Sequence, residues 1–348
     1  MQSEAKTTQW FTEELFAHGV KQQLPIDEII TRTTSPYNNT VMIFKSAPVG
    51  RVLTLDGTVQ LTTLDAHHYN ESFVHPAVMT WLVSEDNTAA LNYYTQNIPP
   101  SPYTQNIPSS PHTQNIPSSP HTQNIPSSPH AFGGDPLNIL IIGGGDGGLA
   151  GEVLRYPGAR ATIVEIDACV VEVSRDYLSD TAGGAFDDPR ATWVIGDGID
   201  FVKQVQHHGQ YDIVLVDSSD PIGPAEKLFT PEFYAACKAC LKPSGIALHQ
   251  SGSIYYQREE VISTYRIMQK LYRYPWLLMP QVPTYPGGSI TLIGGSDYLS
   301  QSLSQAAIVR LQEFMQAIQL KTRYYSGAMH AAMQVLPNNM ENILKESK

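Results

Sequence analysis

Four short apolar runs, LNILIIGGG, ATIVEID, ATWVIGD and YDIVLVDSS, constrain the fold of this chain more than any other feature. Each is β-rich, nearly continuous in its hydrophobicity and closed by glycine or an acid, and helical segments separate one from the next. Strands of this kind are buried on both faces, so the runs belong in a parallel sheet covered by helices on either side, an α/β architecture. Ligands of such sheets bind at the carboxyl ends of the strands. Every run carries its polar punctuation at that end.

The first run ends in Gly143-Gly144-Gly145-Asp146-Gly147-Gly148, where Gly143, Gly145 and Gly148 fit GxGxxG between a strand and a helix. Alone, that fingerprint suggests a dinucleotide. Asp146 argues against one, because a carboxylate inside the turn sits where a pyrophosphate meets the helix N-terminus, and like charges repel. A sulfonium or an ammonium suits the position better. The plainer alternative is an aspartate that caps the next helix. Glu165, at the end of the second run, stands where an acid accepts hydrogen bonds from ribose hydroxyls, so turn and acid together imply a nucleoside. In the third, Gly196-Asp197-Gly198 offers either an acceptor for the exocyclic amine of adenine or an ordinary turn. The fourth ends in Asp217-Ser218-Ser219-Asp220-Pro221-Ile222-Gly223-Pro224, two acids on a loop that two prolines stiffen into a wall or gate.

Upstream, Ile29 to Thr63 reads as short β runs, VMIF, RVLTLDG and TVQLTT, with Asp56-Gly57 as a hairpin signal. A small antiparallel domain over residues 1–64 follows. From Ala66 to Leu82, Tyr69, Phe73, Ala77 and Trp81 are spaced as one face of a helix, which opens a catalytic domain of residues 65–94 and 131–348. Between its two parts, residues 95–130 are four tandem nine-residue copies, TQNIPPSPY and then TQNIPSSPH three times. With so little apolar surface per copy, an extended, disordered insert is expected. Its histidines, His112, His121 and His130, have no fixed geometry for a metal.

With 22 Lys+Arg against 33 Asp+Glu the net charge is -11, which repels nucleic acid and anionic membranes. Neither a secretory leader nor a membrane span is visible, so a cytoplasmic location is expected. Cys169, Cys237 and Cys240 form no disulfide framework. The last two make a CxxC in FYAACKACLKP, a helix before a turn at Pro243, and nothing nearby completes a zinc site.

Residues 143–148, 165, 197 and 217–224, taken in order, closely resemble the spermidine synthase family of polyamine aminopropyltransferases. LDGTVQLTTLDAHHYNE looks like the family's strand and helix leading into the active site, VPTYPGG like its late loop, and RYYSGAMHAAMQVLP like the C-terminal segment of the bacterial enzymes. Apart from the repeats and the ends, the resemblance spans nearly the whole chain. It implies a Rossmann-like, methyltransferase-type parallel-sheet domain preceded by the small antiparallel one. The activity it implies is transfer of an aminopropyl group from decarboxylated S-adenosylmethionine, a co-substrate, to putrescine, with no cofactor and no metal. The family also suggests a homodimer or homotetramer.

Position by position, the resemblance makes Asp217 the general base, with Asp220 holding the amine and Asp146 touching both aminopropyl group and acceptor. Glu165 would bind the ribose, Asp197 with Gly198 the adenine, and Pro224 would pack near the nucleoside. Tyr69 and Tyr285 line the polyamine side, Gln60 the nucleoside side, and Gln250 the pocket wall. Two positions depart from the pattern. Asn39, by register, replaces a nucleoside-side glutamine, and Asn70 replaces the histidine of Tyr-His-Glu on the polyamine side.

The chemistry accounts for the acids. An alkylammonium has a pKa of roughly ten, so its lone pair is blocked at neutral pH until a carboxylate accepts the proton. A neighbouring sulfonium lowers that pKa by like-charge repulsion. Alternatives are an aminopropyltransferase with another acceptor (cadaverine, agmatine or spermidine), an S-adenosylmethionine methyltransferase, an NAD-dependent oxidoreductase and a non-catalytic relative. The acids disfavour a donor bearing a carboxylate, and Asp146 disfavours NAD.

Overall fold

The structure is a computed structural model that describes residues 9–15, 19–83, 136–218 and 223–346. The nonapeptide copies at 95–130 lie outside the described residues, as do Asp220 and the side chain of Pro224.

The N-terminal part contains two antiparallel sheets. Strands β1 (Gln9–Leu15) and β2 (Val20–Ile26) pair with each other, and β3 (Glu28–Thr33), β4 (Val41–Ser46), β5 (Gly50–Leu55) and β6 (Thr58–Thr62) form a meander in chain order. The hairpin expected at Asp56-Gly57 joins β5 to β6. Both residues have positive φ, 48° and 84°, as a two-residue type I′ turn requires. The β1–β2 hairpin is not legible in the sequence, because Glu13 occupies an inward position beside Phe11 and breaks the apolar alternation. Its carboxylate is used, accepting the Val59 N–H at 3.0 Å.

Helix α1 (Ala66–Val83) crosses into the larger sheet. The spacing of Tyr69, Phe73, Ala77 and Trp81 implies one buried face, but every residue except His67 and His68 is buried. The helix is a core element, packed against the sheet and two helices, and it therefore buries polar groups that need partners. Glu71 shows how they are met. Its carboxylate accepts the backbone N–H groups of Arg323, Tyr324 and Tyr325 at 2.9, 2.8 and 2.8 Å, which pins the C-terminal segment to the helix.

The four apolar runs become β7 (Asn138–Gly143), β8 (Arg160–Glu165), β9 (Ala191–Ile195) and β10 (Tyr211–Asp217). With β11 (Leu241–Gln250), β12 (Tyr274–Leu278) and β13 (Leu292–Ser296) they build one seven-stranded sheet. Its spatial order is β12-β13-β11-β10-β7-β8-β9; the five strands from β11 to β9 are parallel, and β13 runs antiparallel to both of its neighbours. This is the Rossmann-like arrangement expected. The helices are α2 (Gly148–Leu154), α3 (Ala168–Tyr177), α4 (Gly198–Lys203), α5 (Pro231–Cys240), α6 (Arg258–Leu271), α7 (Gln305–Ala317), α8 (Gly327–Ala332) and α9 (Asn338–Glu346).

Alternate strand residues feed two cores. Ile139, Ile141, Ile213, Leu215 and Leu248 pack with residues of α1, α2 and α7, while Leu140, Ile142, Val214, Val216 and Ala247 pack with those of α4, α5 and α6. Cys237 and Cys240 are free and fully buried in the second core, and burial pushes the Cys240 thiol up to about 11. They are packing residues there. Strand β11 begins directly after α5, so Pro243 lies in an irregularity of its pairing with β10, between Leu241 and Ile246, where a separate turn was expected. Among the described residues no helix is long and apolar enough to cross a membrane, and no group of three His, Cys, Asp or Glu could hold a metal ion.

Glu71→Ala leaves three buried N–H groups without an acceptor. We expect a loss of about 3 kcal/mol, on the order of 8 °C in the thermal midpoint, measured by calorimetry.

Candidate active site

Strand order reverses between β7 and β10, and the helices after those strands diverge there, opening a crevice at their carboxyl ends. Close approach of the two strand ends depends on glycine. A Cβ on Gly143, where φ is 81°, would lie 2.0 Å from the Asp217 carbonyl oxygen, and one on Gly145 would lie 2.9 Å from the Glu165 side chain.

Asp217, the last residue of β10, accepts a hydrogen bond from the Tyr69 hydroxyl at 2.6 Å. Burial and the negative charge of Asp146 push its carboxyl up to about 8, against the lowering effect of the tyrosine. Asp146 is likewise raised by burial, while the Gly148 N–H, which it accepts at 2.6 Å, opposes the rise. Asp146 thus binds the first N–H of α2, one residue before the Gly147 N-cap, and lines the crevice. Glu165 ends β8 and is pushed up to about 7 by burial, although its two oxygens accept the N–H groups of Gly145 and Asp167 at 3.0 and 2.9 Å. Asp146 and Asp217 at the crevice and Glu165 behind its glycine turn, all buried and held above their ordinary range, form a cluster that favours cations.

The opposite wall comes from β6, α1 and the segment after β12. Gln60, Asp65, Tyr69, Asn70 and Tyr285 line it. The Tyr69 and Tyr285 rings are 5.7 Å apart, and the Tyr285 hydroxyl donates to the Gln60 carbonyl at 2.7 Å. Asn70 lies against the glycine turn, where a Cβ on Gly148 would come within 2.2 Å of its Nδ2. Gln250 is buried at the end of β11, and its Oε1 has no hydrogen-bond partner among the described residues.

Known proteins match this chain over most of its length. The Spermine/spermidine synthase domain matches residues 120–326, and the Spermidine synthase tetramerisation domain matches 9–63. The polyamine aminopropyltransferases of Salmonella paratyphi A and Salmonella typhi are each 32% identical over 341 residues, covering 98% of this chain and 99% of theirs. The chain belongs to the spermidine synthase family. Among solved structures, a spermidine synthase in complex with the transition state analogue AdoDATO aligns with a TM-score of 0.74 at 25% identity, covering 99% of this chain and 98% of that one. The Thermotoga maritima spermidine synthase aligns in fold with a TM-score of 0.72 at 24% identity, covering 99% and 97%. The chain is thus an enzyme of the aminopropyltransferase class.

Within this spermidine synthase fold, Gln60, Tyr69, Asn70, Asp146, Asp217 and Tyr285 converge on the crevice, and Glu165 stands behind its glycine turn. Asp197 lies one strand further out, exposed, and caps α4 by accepting the Ile199 N–H at 2.7 Å; Gly198 is buried against Ile142. Asn39 does not join the cluster. Its amide donates to Asp56 at 3.3 Å in the β-domain turn, while the neighbouring Asn38 donates to Asp167 at 2.7 Å, two residues from Glu165. One residue of register separates the two, and loop composition alone does not resolve it. Two buried acids escaped notice in the sequence. Asp167 caps α3 and binds the 35–38 loop, for which the acid before ACVV is a helix-start signal. Asp65, one residue before α1, is the other.

Stability should record the crowding of acids. An unfolded aspartate titrates near 3.9, so the folded state holds extra protons between about 4 and about 8, and stability falls as pH rises through that window. Asp217→Asn removes the titration while keeping the shape. Its thermal midpoint should exceed wild type by on the order of 2–6 °C at pH 8.5 and by little at pH 5, a difference that scanning fluorimetry resolves.

Proposed function

We propose that this enzyme transfers the aminopropyl group of decarboxylated S-adenosylmethionine to putrescine, giving spermidine and 5′-methylthioadenosine. The observation that carries the proposal is the group of raised acids, Asp146 and Asp217 with Glu165 behind the turn, at a crevice that no Lys or Arg lines among the described residues. Such a site lacks compensating charge until a cation enters it. A sulfonium donor without a carboxylate and a diammonium acceptor supply that charge, whereas a donor carrying a carboxylate meets repulsion. The family relationship supports the same reading, and a relative crystallised with AdoDATO shows that such folds accept transition-state analogues.

In this mechanism Asp217 takes the proton from the attacking amine, and the Tyr69 hydroxyl orients its carboxylate. The nitrogen bonds the carbon next to sulfur while the C–S electron pair stays on sulfur, so the thioether leaves neutral. Cation binding lowers the pKa of Asp217 into the range in which it is ionised and able to act as a base. Asp146 faces the transferred group, Asn70 and Tyr285 face the acceptor, and Asp220 holds the amine from the loop after β10. Glu165 takes the ribose hydroxyls, Asp197 with Gly198 the adenine, and Gln60 and Pro224 flank the nucleoside. The acids and the pre-aligned reactants account for the acceleration, and neither a metal nor a cofactor is required. The N-terminal sheets, matched over 9–63, would join copies of the chain into a homotetramer.

Mass spectrometry of the products formed from decarboxylated S-adenosylmethionine and putrescine tests the reaction, with cadaverine, agmatine and spermidine as competing acceptors. Spermidine and methylthioadenosine should appear together, and no product with any amine refutes the proposal. Asp217→Asn should slow turnover by about 10²- to 10⁴-fold. In the wild type, kcat/KM for the donor should rise with pH through about 8 as free Asp217 ionises. That limb should vanish in the variant.

A further inference from the structure

One wall of the crevice is the segment from Pro280 to Gly288, which carries Tyr285. Its base is fixed at Gln281, whose carbonyl faces His68 Nδ1 at 3.0 Å and whose N–H donates to the Tyr324 hydroxyl at 3.1 Å. Internal bonds give it shape: the Tyr285 N–H donates to the Val282 carbonyl at 2.9 Å and the Val282 N–H to the Gly288 carbonyl at 3.0 Å. At the tip, Gln22 Nε2 donates to the Thr284 carbonyl at 2.9 Å and the Tyr285 hydroxyl to the Gln60 carbonyl at 2.7 Å, and one buried carboxylate takes the rest. Asp65, 2% exposed, accepts the Thr284 N–H at 2.7 Å and the Thr284 hydroxyl at 2.8 Å. A third bond comes from the Thr62 hydroxyl at 2.7 Å.

This carboxylate therefore joins three walls. Thr62 ends β6, which carries Gln60; Asp65 directly precedes α1, which carries Tyr69 and Asn70; and Thr284 directly precedes Tyr285. We propose that Asp65 is a positioning residue that sets the spacing of the slot between Tyr69 and Tyr285, and with it the affinity for the amine acceptor. The inference rests on the reading of this crevice as the aminopropyl-transfer site. Removing the carboxylate loosens the tip, which then keeps only the Gln22 and Tyr285 hydroxyl bonds, while His68 and Tyr324 still hold the base, so Tyr285 shifts without loss of the segment. On the nucleoside side Gln60 shares this network, whereas Glu165 is held apart from it by Gly145 and Asp167 across the sheet.

The geometry also specifies a rescuing substitution. An amide at position 65 can turn its oxygen to the Thr284 N–H and its NH2 to the two hydroxyls, which accept as well as donate. Steady-state kinetics of the full-length enzyme with putrescine, beside calorimetry with methylthioadenosine, tests the proposal. Asp65→Ala should raise the acceptor KM by about ten- to a hundred-fold, with a smaller fall in kcat and a much smaller loss of methylthioadenosine affinity, through Gln60. Asp65→Asn should recover most of the loss, and Thr284→Val, which removes one of the three bonds, should fall between.

An unchanged acceptor KM in Asp65→Ala, a loss confined to kcat, weakened methylthioadenosine binding in step with KM, or no rescue by Asn would each overturn the proposal. Should the alanine variant fail to fold, Thr284→Val decides, and a wild-type acceptor KM there overturns it. Absence of product from the wild type with any amine overturns the functional reading and this proposal together. Turnover by the wild type with unaltered variants overturns this proposal alone.

Discussion

Asp217 closes β10, Asp146 lies in the turn after the adjacent β7, and both are buried where they meet at the crevice. Each raises the cost of ionising the other, and Glu165 adds to the field from the next strand. A fold that places carboxyls this way gives up stability at neutral pH, and the loss is recovered when cations bind. The remaining architecture holds the arrangement in place. Gly143 lets β7 approach the Asp217 carbonyl, Gly145 lets the turn approach Glu165, and Tyr69 supplies a hydrogen bond that favours the ionised form of Asp217.

Helix α1 connects these local contacts to the global fold. Because it is buried on nearly all sides, its polar residues serve as fixed points. Glu71 anchors the C-terminal segment, and Tyr69 and Asn70 enter the crevice one helical turn away or less. Asp65 at its start holds the Tyr285 segment. The N-terminal sheets reach the same elements from outside. Gln22 donates to the Thr284 carbonyl at 2.9 Å, so the β1–β2 hairpin touches the residue beside Tyr285. The domain matched to tetramerisation and the Tyr285 wall of the crevice are thus in direct contact.

The parallel sheet was legible because β7, β8 and β10 are largely buried on both faces and need nearly every residue apolar, whereas the edge strand β9 is only partly buried. Acids at four strand ends were legible for the complementary reason, that charge is rare in such runs and, apart from Arg160 and Asp212 at strand starts, falls at the carboxyl ends. Two kinds of feature were hidden. The β1–β2 hairpin was masked by Glu13, whose inward position makes sense only once the Val59 N–H is seen beside it. Asp65 sits in a polar stretch, TTLDAHH, where an acid before a helix reads as a cap; its partners Thr284 and Thr62 lie 219 and 3 residues away, and the long-range pair has no local signal. Only the fold decides, for a related reason, that Asn38 faces Asp167 and Asn39 faces Asp56.

Asn70 bears on the charge balance of the whole site. A histidine at that position could carry a proton and offset part of the field of Asp146, whereas an asparagine offers a neutral dipole. Pressed against Gly148, its carboxamide lies beside the turn that holds Asp146 but cannot neutralise it. The crevice residues Gln60, Thr62, Tyr69, Asn70 and Tyr285 are uncharged at neutral pH, and among the described residues no Lys or Arg lines it. Under the proposed reading, an acceptor with two ammonium groups would compensate the acids more fully than one with a single amine, and a neutral Asn70 would leave that compensation to the acceptor.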